Sequence, residues 1–310
     1  MIIKISSFSD FNFKKLNLVN FDSFIVREGE LLPGFEFVKH FGLIKFHQKH
    51  RCVNLDCPDI MTIEKRAQLK LKHRYHCNVC NYVINLGQYT WFSGSRLDLI
   101  MSLKLVYLWT TKCSVKLTSR ILGVNKNTVV YYFNELRQLC IDKCSESNKK
   151  IGGEGHEVEL DETMVFHRKY NRGRLLYGEK KKSWVVGGID RNTNACFAEL
   201  VEDRKSETIK ELITRRVYPK TRIITDKWRA YLCLKNYDYT VEQVNHSKKF
   251  VDPIDPTINT QKIERAWGSL KQCLPKTASG EDRCTYIGEF VYRKTYTNNL
   301  KMMVKILKQF

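Results

Sequence analysis

The sequence predicts an α/β protein, with a mixed β-sheet and flanking helices in its second half and a small cysteine-bearing module and a helical region before it. Three observations carry this. Four cysteines pair as Cys52 with Cys57 and Cys77 with Cys80. Apolar residues recur at helical spacing from Ser93 to Cys144. Beyond residue 157 short apolar runs alternate with helical patterns, and three acids, Asp161, Asp226 and Glu264, recur at the ends of those segments.

Composition narrows the partner. The 310 residues leave room for two or three domains. Lys and Arg number 53 against 33 Asp and Glu, a net charge of +20, and such an excess favours a polyanion, of which nucleic acid is the commonest. Apolar residues make up 43%, a globular proportion. Met1 to Leu18 has no apolar core of signal-peptide length, and the run from Leu97 to Trp109 is broken by Lys104. An intracellular protein is expected, nuclear in a eukaryote and in the cytoplasm or nucleoid of a bacterium. Eleven cysteines, an odd number, argue against a disulfide framework.

Residues 1–45 carry no clear period and no assigned chemistry; Leu31-Leu32-Pro33-Gly34 marks a turn. From 46 to 92 the cysteines follow the pattern C-x4-C, nineteen residues, C-x2-C, which supplies four thiolates to a structural, tetrahedral Zn²⁺ in a zinc ribbon. His73 and His76 are surface or DNA-facing residues, because Cys52, Cys57, Cys77 and Cys80 already complete the shell.

Residues 93–145 read as three helices. Leu97, Ile100, Met101, Leu103, Leu105 and Leu108 mark the first. Ser114 caps a second that carries Leu117, Ile121 and Leu122. Gly123 turns the chain, Asn125 or Asn127 caps again, and Thr128 to Leu139 forms the third. Helix, glycine turn, helix is the helix-turn-helix pattern, with Lys126, Asn127 and Thr128 at its DNA-reading end. Residues 146–156 are polar and glycine-rich and read as a linker.

The domain from 157 to 300 follows. Strands are expected at Val158–Met164, Trp184–Ile189 and Ala195–Val201, the last two joined by a hairpin turn at Asp190–Asn194. Ser206 caps a helix to about Arg216, Arg222–Thr225 is a strand, Trp228–Leu234 a helix, Tyr239–Val244 a strand, and Thr260 to Leu274 a helix. Three strands, helix, strand, helix, strand, helix is the order of an RNase H-like domain, and residues 301–310 form a tail. In that order strands one and four are neighbours, so Asp161 and Asp226 stand side by side. Burial of Ile263, Trp267, Leu270 and Leu274 turns Glu264 toward them, with Gly268 leaving room and Lys271 available to a phosphate.

Three carboxylates at one point repel one another, and hard divalent cations, Mg²⁺ or Mn²⁺, relieve that repulsion. Two such ions serve phosphodiester chemistry. Asp226 can instead cap a helix, and Glu264 can be a solvated position. Asp161, inside an apolar strand, is hardest to explain structurally, and Glu159 and Glu162 are its alternatives. Arg168, Lys169, Arg172 and Arg174, followed by Lys180–Lys182, lie beside the acids in sequence and suit phosphate. His246 either orients a phosphate or packs against its loop.

These segments resemble the Merlin-type DNA transposases and the related bacterial insertion-sequence transposases with a DDE catalytic domain. The resemblance rests on Leu160-Asp161-Glu162-Thr163, Arg172-Gly173-Arg174, Val185-Val186-Gly187-Gly188-Ile189-Asp190, Thr225-Asp226, Val244-Asn245-His246-Ser247, Phe250-Val251-Asp252-Pro253 and Asn259-Thr260-Gln261-Lys262-Ile263-Glu264. It spans about residues 46 to 300. It implies an RNase H-like domain with Asp161, Asp226 and Glu264 as metal-binding catalytic carboxylates. It also implies Mg²⁺-dependent cutting at transposon ends and transfer of the freed 3′-hydroxyl into target DNA. The partners implied are double-stranded DNA, as terminal inverted repeats and target, and a homo-oligomer. The 37 residues between Asp226 and Glu264 suit the family. The four-residue gap between Cys52 and Cys57, and Asn81 where glycine is common, depart from its pattern. Two other functions fit the same fold: a transposase-derived protein that binds DNA without cutting it, and a structure-directed nuclease that cuts without strand transfer.

Overall fold

A computed structural model describes residues 32–44, 50–66, 69, 73–85, 87–88, 90–147, 150–167, 182–244, 255, 257–275, 280–296 and 299–308. The chain divides into two compact units, Met1–Leu136 with Thr297–Phe310, and Arg137–Tyr296.

In the first unit the strands β1 (His50–Arg51), β2 (Ile60–Lys65), β3 (His73–His76) and β4 (Val83–Asn85) form an antiparallel sheet in chain order. Before it stands α1 (Leu32–His40). The turn expected at Leu31–Gly34 is thus the start of a helix, because proline is tolerated in a helix's first turn, where its missing N–H costs nothing. Helix α2 (Leu99–Thr110) starts where the Asp98 carboxylate accepts from Met101 N at 2.8 Å. It is buried on nearly every side, from Leu103 through Trp109. The C-terminal α8 (Asn299–Leu307) packs on α2, so most of the expected tail is a helix of this unit.

Helix α3 (Val115–Leu122) has the expected cap, Ser114 Oγ accepting from Leu117 N at 3.3 Å. It ends on Gly123 in the left-handed region at φ 65°, where glycine has no Cβ to clash. Asn125 Oδ1 accepts from Asn127 N at 2.8 Å as α4 (Lys126–Ser147) begins. Of the three apolar residues expected to carry α3, only Leu122 is buried; Leu117 and Ile121 face outward.

In the second unit five strands form one sheet in the order β11-β10-β6-β7-β8: β6 (Glu157–His167), β7 (Lys182–Asp190), β8 (Cys196–Val201), β10 (Thr221–Asp226) and β11 (Tyr239–Val244). The first three are antiparallel neighbours, while β10 runs parallel to β6 and β11 parallel to β10. Two short strands, β5 (Ile151–Gly152) and β9 (Val217–Tyr218), pair in parallel apart from that sheet. The turn between β7 and β8 is a hairpin, as expected: Asp190 Oδ1 accepts from Asn192 N and Thr193 N at 2.7 and 3.1 Å.

Both sheet faces are covered, which is why β7 reads as a nearly continuous apolar run from Trp184 to Ile189, while β6 carries acids among its apolar residues. One face packs Val158, Leu160, Val186 and Ile223 against α5 (Ser206–Arg216) and a 3-10 helix (Arg229–Asn236). Ser206 opens α5 rather than capping it; the Asp203 carboxylate accepts from Lys205 N and the Thr208 hydroxyl instead. The other face packs Val185, Ile189 and Ala198 against α6 (Gln261–Cys273) and α7 (Gly280–Thr295). Burial of each large apolar side chain contributes roughly 1.5–3 kcal/mol.

Trp267 of α6 packs close against β7 because Gly187 has no side chain there. A Cβ added at Gly187 would sit 2.5 Å from both the Phe197 carbonyl oxygen and the Trp267 ring. Gly187→Ala is therefore expected to destabilise the protein by about 1–3 kcal/mol, as overpacking does. Gly268→Ala, whose Cβ would meet nothing within 4 Å, is expected to change stability by less than about 0.5 kcal/mol or to raise it. Urea denaturation of the two variants checks the contrast.

Candidate metal centres

The register of the parallel pair brings two of the three predicted acids of the first centre, Asp161 and Asp226, together; among the described residues Glu264 does not converge with them into a group at ligand spacing, as the four cysteines below do. Ile224 of β10 pairs with Glu159 of β6, so two residues further along the strands Asp226 stands opposite Asp161. Strand alternation puts both on the face that α6 covers. Trp267 Nε1 donates to Asp161 Oδ2 at 2.9 Å, fixing that carboxylate between sheet and helix. Burial, then the charges of Glu162 and Asp226, pushes Asp161 up to about 7.

Asp226 is not a helix cap: the following 3-10 helix is capped at Trp228, with no side-chain capping bond. The turn after Asp226 is held from β11, where Gln243 Nε2 donates to the carbonyls of Asp226 and Trp228, each at 3.3 Å. Glu264 is half-buried on α6, one turn before Trp267, and accepts from the Thr260 hydroxyl at 3.0 Å. It is therefore not simply solvated.

The three acids of strand β6 have separate tasks. Glu159, 1% exposed, sits against the α6 N-terminus: one carboxylate oxygen accepts from Lys262 N and Ile263 N, both at 2.9 Å, and the other from Arg191 Nε at 2.7 Å. Thr260, the residue at the cap, makes no side-chain cap bond, so Glu159 supplies the missing acceptor from another strand. It is a structural acid and not an alternative to Asp161.

Glu162 belongs to the acidic cluster from the other sheet face. The Tyr231 hydroxyl donates to it at 2.9 Å and Arg204 Nη1 at 3.3 Å. Burial, then the charge of Asp226, raises its carboxyl above the ordinary value. Arg204 itself is stacked on Trp184 at 3.7 Å and Trp228 at 5.0 Å from the ring centroids.

Glu162 is one of the two alternatives to Asp161 that the sequence offers, and it reaches the acidic cluster. Nothing in the pattern of residues 202–205 marks Arg204, whose partners lie 20 or more positions away. Lys271 is exposed on α6. Arg168, Lys169, Arg172, Arg174 and His246 lie outside the described residues.

The second centre is in the first unit. Sγ atoms of Cys52, Cys57, Cys77 and Cys80 all lie within 4.8 Å of one another, with Cys52–Cys80 at 3.4 Å and Cys57–Cys77 at 3.6 Å. Four sulfurs at about 2.3 Å from one ion stand about 3.7 Å apart, so the cluster fits a tetrahedral Zn²⁺. The thiols do not ionise together without a cation. The backbone N–H of Tyr82 draws Cys80 down to about 7, while burial pushes Cys52 up to about 12.

Asn81 has φ 58°, a left-handed conformation that asparagine tolerates, so it serves where glycine is commoner. His76 Nδ1 shares a hydrogen bond with Asn78 at 3.1 Å, outside the thiol set. Lys126 and Asn127 are exposed and Thr128 half-buried at the start of α4.

Residues 152–295 match the family described as ISXO2-like transposase domain. Among solved structures, a Mos1 transposase paired-end complex with left transposon end is 12% identical, covering 67% of this chain and 79% of that one at TM-score 0.23. A pre-cleavage Mos1 transpososome is 9% identical, with coverage of 67% and 79% and a TM-score of 0.21. Likeness at such scores is too slight to bear on the fold, which stands on strand order and register. No curated protein matches the chain. Among the described residues no helix is long and apolar enough to cross a membrane.

In the absence of divalent cations the acidic cluster gives the protein a distinctive pH dependence. The folded state keeps a proton on Asp161 up to about pH 7, whereas the unfolded chain loses it near the ordinary value of 3.8. Between these values the folded state binds more protons, so stability is expected to fall as pH rises from about 4 to about 7 and then level off. Urea midpoints across that range check the slope, and Asp161→Asn should flatten it. For the thiol cluster, elemental analysis should return one zinc per chain, and Cys77→Ser should lose it; folded protein free of zinc would remove the assignment.

Proposed function

We propose that this chain, whose residues 152–295 belong to the ISXO2-like family of DDE-type transposases, is a DNA transposase that cuts at transposon ends and joins the freed 3′-hydroxyl to target DNA. The observation that carries the proposal is the juxtaposition of Asp161, in the middle of β6, and Asp226, at the end of the neighbouring parallel strand β10, within the matched residues. The strand order β11-β10-β6-β7-β8, with β6, β7 and β8 antiparallel neighbours and β10 and β11 parallel to β6, supports an RNase H-like domain.

The donor set fits hard divalent cations. Asp161, Asp226 and Glu264 offer oxygens only, and the raised carboxyl of Asp161 reflects its burial and then the charges of Glu162 and Asp226, which a cation would offset. Mg²⁺ or Mn²⁺ held there would supply Lewis acidity on both sides of a phosphodiester. The protein's own part is positioning. Trp267 fixes the Asp161 carboxylate, Thr260 that of Glu264, and Gln243 the turn after Asp226. Arg204 and Tyr231 tie Glu162 to the opposite sheet face, which leaves Asp161 and Asp226 as the pair facing α6.

In the first unit, the four-thiol cluster supports a structural zinc ribbon. The α3–turn–α4 segment supports a helix-turn-helix that presents Lys126, Asn127 and Thr128 to a DNA groove. Arg168, Lys169, Arg172, Arg174, His246 and Lys271 are assigned to phosphates of transposon and target DNA. Binding through them should weaken steeply with salt.

Purified protein with Mg²⁺ is expected to nick and join DNA carrying its own terminal repeats. Asp226→Asn should abolish both steps while leaving DNA affinity within about twofold, because a carboxamide keeps the shape of the side chain but not its charge. Metal-dependent cleavage that survives Asp226→Asn would refute the site. Cleavage without joining would favour a structure-directed nuclease on the same fold.

A further inference from the structure

The second unit holds a cavity that neither centre uses. Its volume is about 770 Å³, within the range of roughly 300–1,000 Å³ usual for small-molecule sites. Its floor is strand β8, from Cys196 to Leu200, and its walls are α7 and the C-terminal parts of α4 and α5. Strand β8 is an edge of the sheet, separated from β6 by β7, and none of Asp161, Glu162, Asp226 and Glu264 lines the cavity.

The lining defines what such a site takes. Ile141, Ile151, Phe197, Ile287 and Val291 give it apolar walls. Its charged groups are four cations, Lys143, Lys150, Arg215 and Arg216, and one carboxylate, Glu199. That carboxylate is already engaged: Arg215 Nη2 donates to it at 2.6 Å, and Arg216 Nε donates to its other oxygen. The excess of cations therefore faces the cavity without a matching acid.

A second observation points to a ligand. Tyr292 of α7 lines the cavity at 1% exposure, and its buried hydroxyl has no hydrogen-bond partner among the described residues. A buried hydroxyl without an acceptor is costly, and an acceptor brought by a ligand would relieve it. Tyr292 and Arg216 lie at one end of the cavity, on either side of Cys144. Burial pushes the Cys144 thiol up to about 11 against the nearby charge of Arg216. Burial also raises the Tyr292 hydroxyl, and Cys140, Tyr296 and Cys144 add to it.

We propose that this cavity binds a small amphipathic acid. Its apolar body lies between β8 and α7, and its anionic head faces Arg216 and Lys150 and accepts from the Tyr292 hydroxyl. The cations select the charge of the ligand, and the aliphatic walls select its body. A nucleotide suits the site less, because the polar edge of its base would be buried against aliphatic side chains. Neither metal centre nor DNA takes part, so the site stands or falls apart from the transposase reading.

Calorimetric titration of the full chain with sodium laurate tests the proposal, alongside displacement of the fluorescent anion anilinonaphthalene sulfonate. Far-UV circular dichroism and urea midpoints confirm that each variant is folded. Saturable binding of laurate is expected, with displacement of the fluorescent anion. Tyr292→Phe should be at least as stable as the wild type, since it removes an unpartnered hydroxyl, yet bind laurate about tenfold more weakly. Lys150→Ala with Arg215→Ala should weaken binding by about tenfold as well. Ala195→Trp, which places a large side chain in the cavity, should abolish it. Absence of saturable binding overturns the proposal, and so does binding unchanged in both Tyr292→Phe and Ala195→Trp. Displacement of the fluorescent anion by thymidine monophosphate but not by laurate would assign the cavity to a nucleotide and overturn it too.

Discussion

The second unit depends on how one buried carboxylate is shared. Glu159 lies at the middle of the sheet, and its two oxygens serve the N-terminus of α6 and the guanidinium of Arg191. Arg191 sits on the β7–β8 turn and also donates to Glu157 and to the carbonyls of Thr257 and Asn259, the residues that lead into α6. Strand, hairpin and helix approach are thereby locked to one point. A charge this deep is tolerable only because it is paired and fully hydrogen-bonded, and removing either partner from such a pair typically costs about 3–5 kcal/mol. The consequence for the candidate site is direct. Helix α6 carries Trp267 and Glu264, so the clamp that seats its first turn also fixes the position of Asp161's hydrogen-bond donor.

Adjacent acids on one strand can therefore hold opposite roles. Glu159 and Asp161 face the same side, but the first meets a helix terminus and an arginine, which stabilise its charge. Asp161 has the Trp267 indole N–H and the Glu162 backbone N–H, but burial and the charges of Glu162 and Asp226 outweigh them. Glu162, on the reverse face, is intermediate: it has Tyr231 and Arg204, yet it is still raised by burial and by Asp226. What separates Glu159 from Asp161 here is the number of donors around each. Residue type and burial alone do not distinguish them.

That count explains what was legible in the sequence. Strand and helix positions in the second unit follow from apolar periodicity, and once strands one and four are neighbours, Asp161 and Asp226 must be adjacent. Glu159 could not be told from Asp161, since its partners Arg191 and Ile263 lie 32 and 104 residues away. Arg204 was invisible for the same reason. Periodicity also shows an apolar row without saying whether it turns inward: of Leu117, Ile121 and Leu122, which mark the second helix, only Leu122 is buried. Pro33-Gly34 reads as a turn because both residues break helix interiors, but in a first turn neither constraint applies.

The remaining pattern concerns charge in a chain of net +20. Each unit holds one cluster of groups that resist ionising together: acids in one, thiols in the other. Ordinary folding pressure disperses like charges or pairs each with a cation, as it does for Glu159. Where a fold keeps such groups together with too few protein donors, it keeps a standing cost that a bound cation would lower. The thiol cluster does this with soft ligands in a closed set of four, which suits a structural ion. The acid cluster does it with oxygens that are only partly hydrogen-bonded, which suits hard ions that must also leave room for a substrate. The same electrostatic argument thus supports two different candidate centres, distinguished by ligand softness and by how completely the protein would fill the shell.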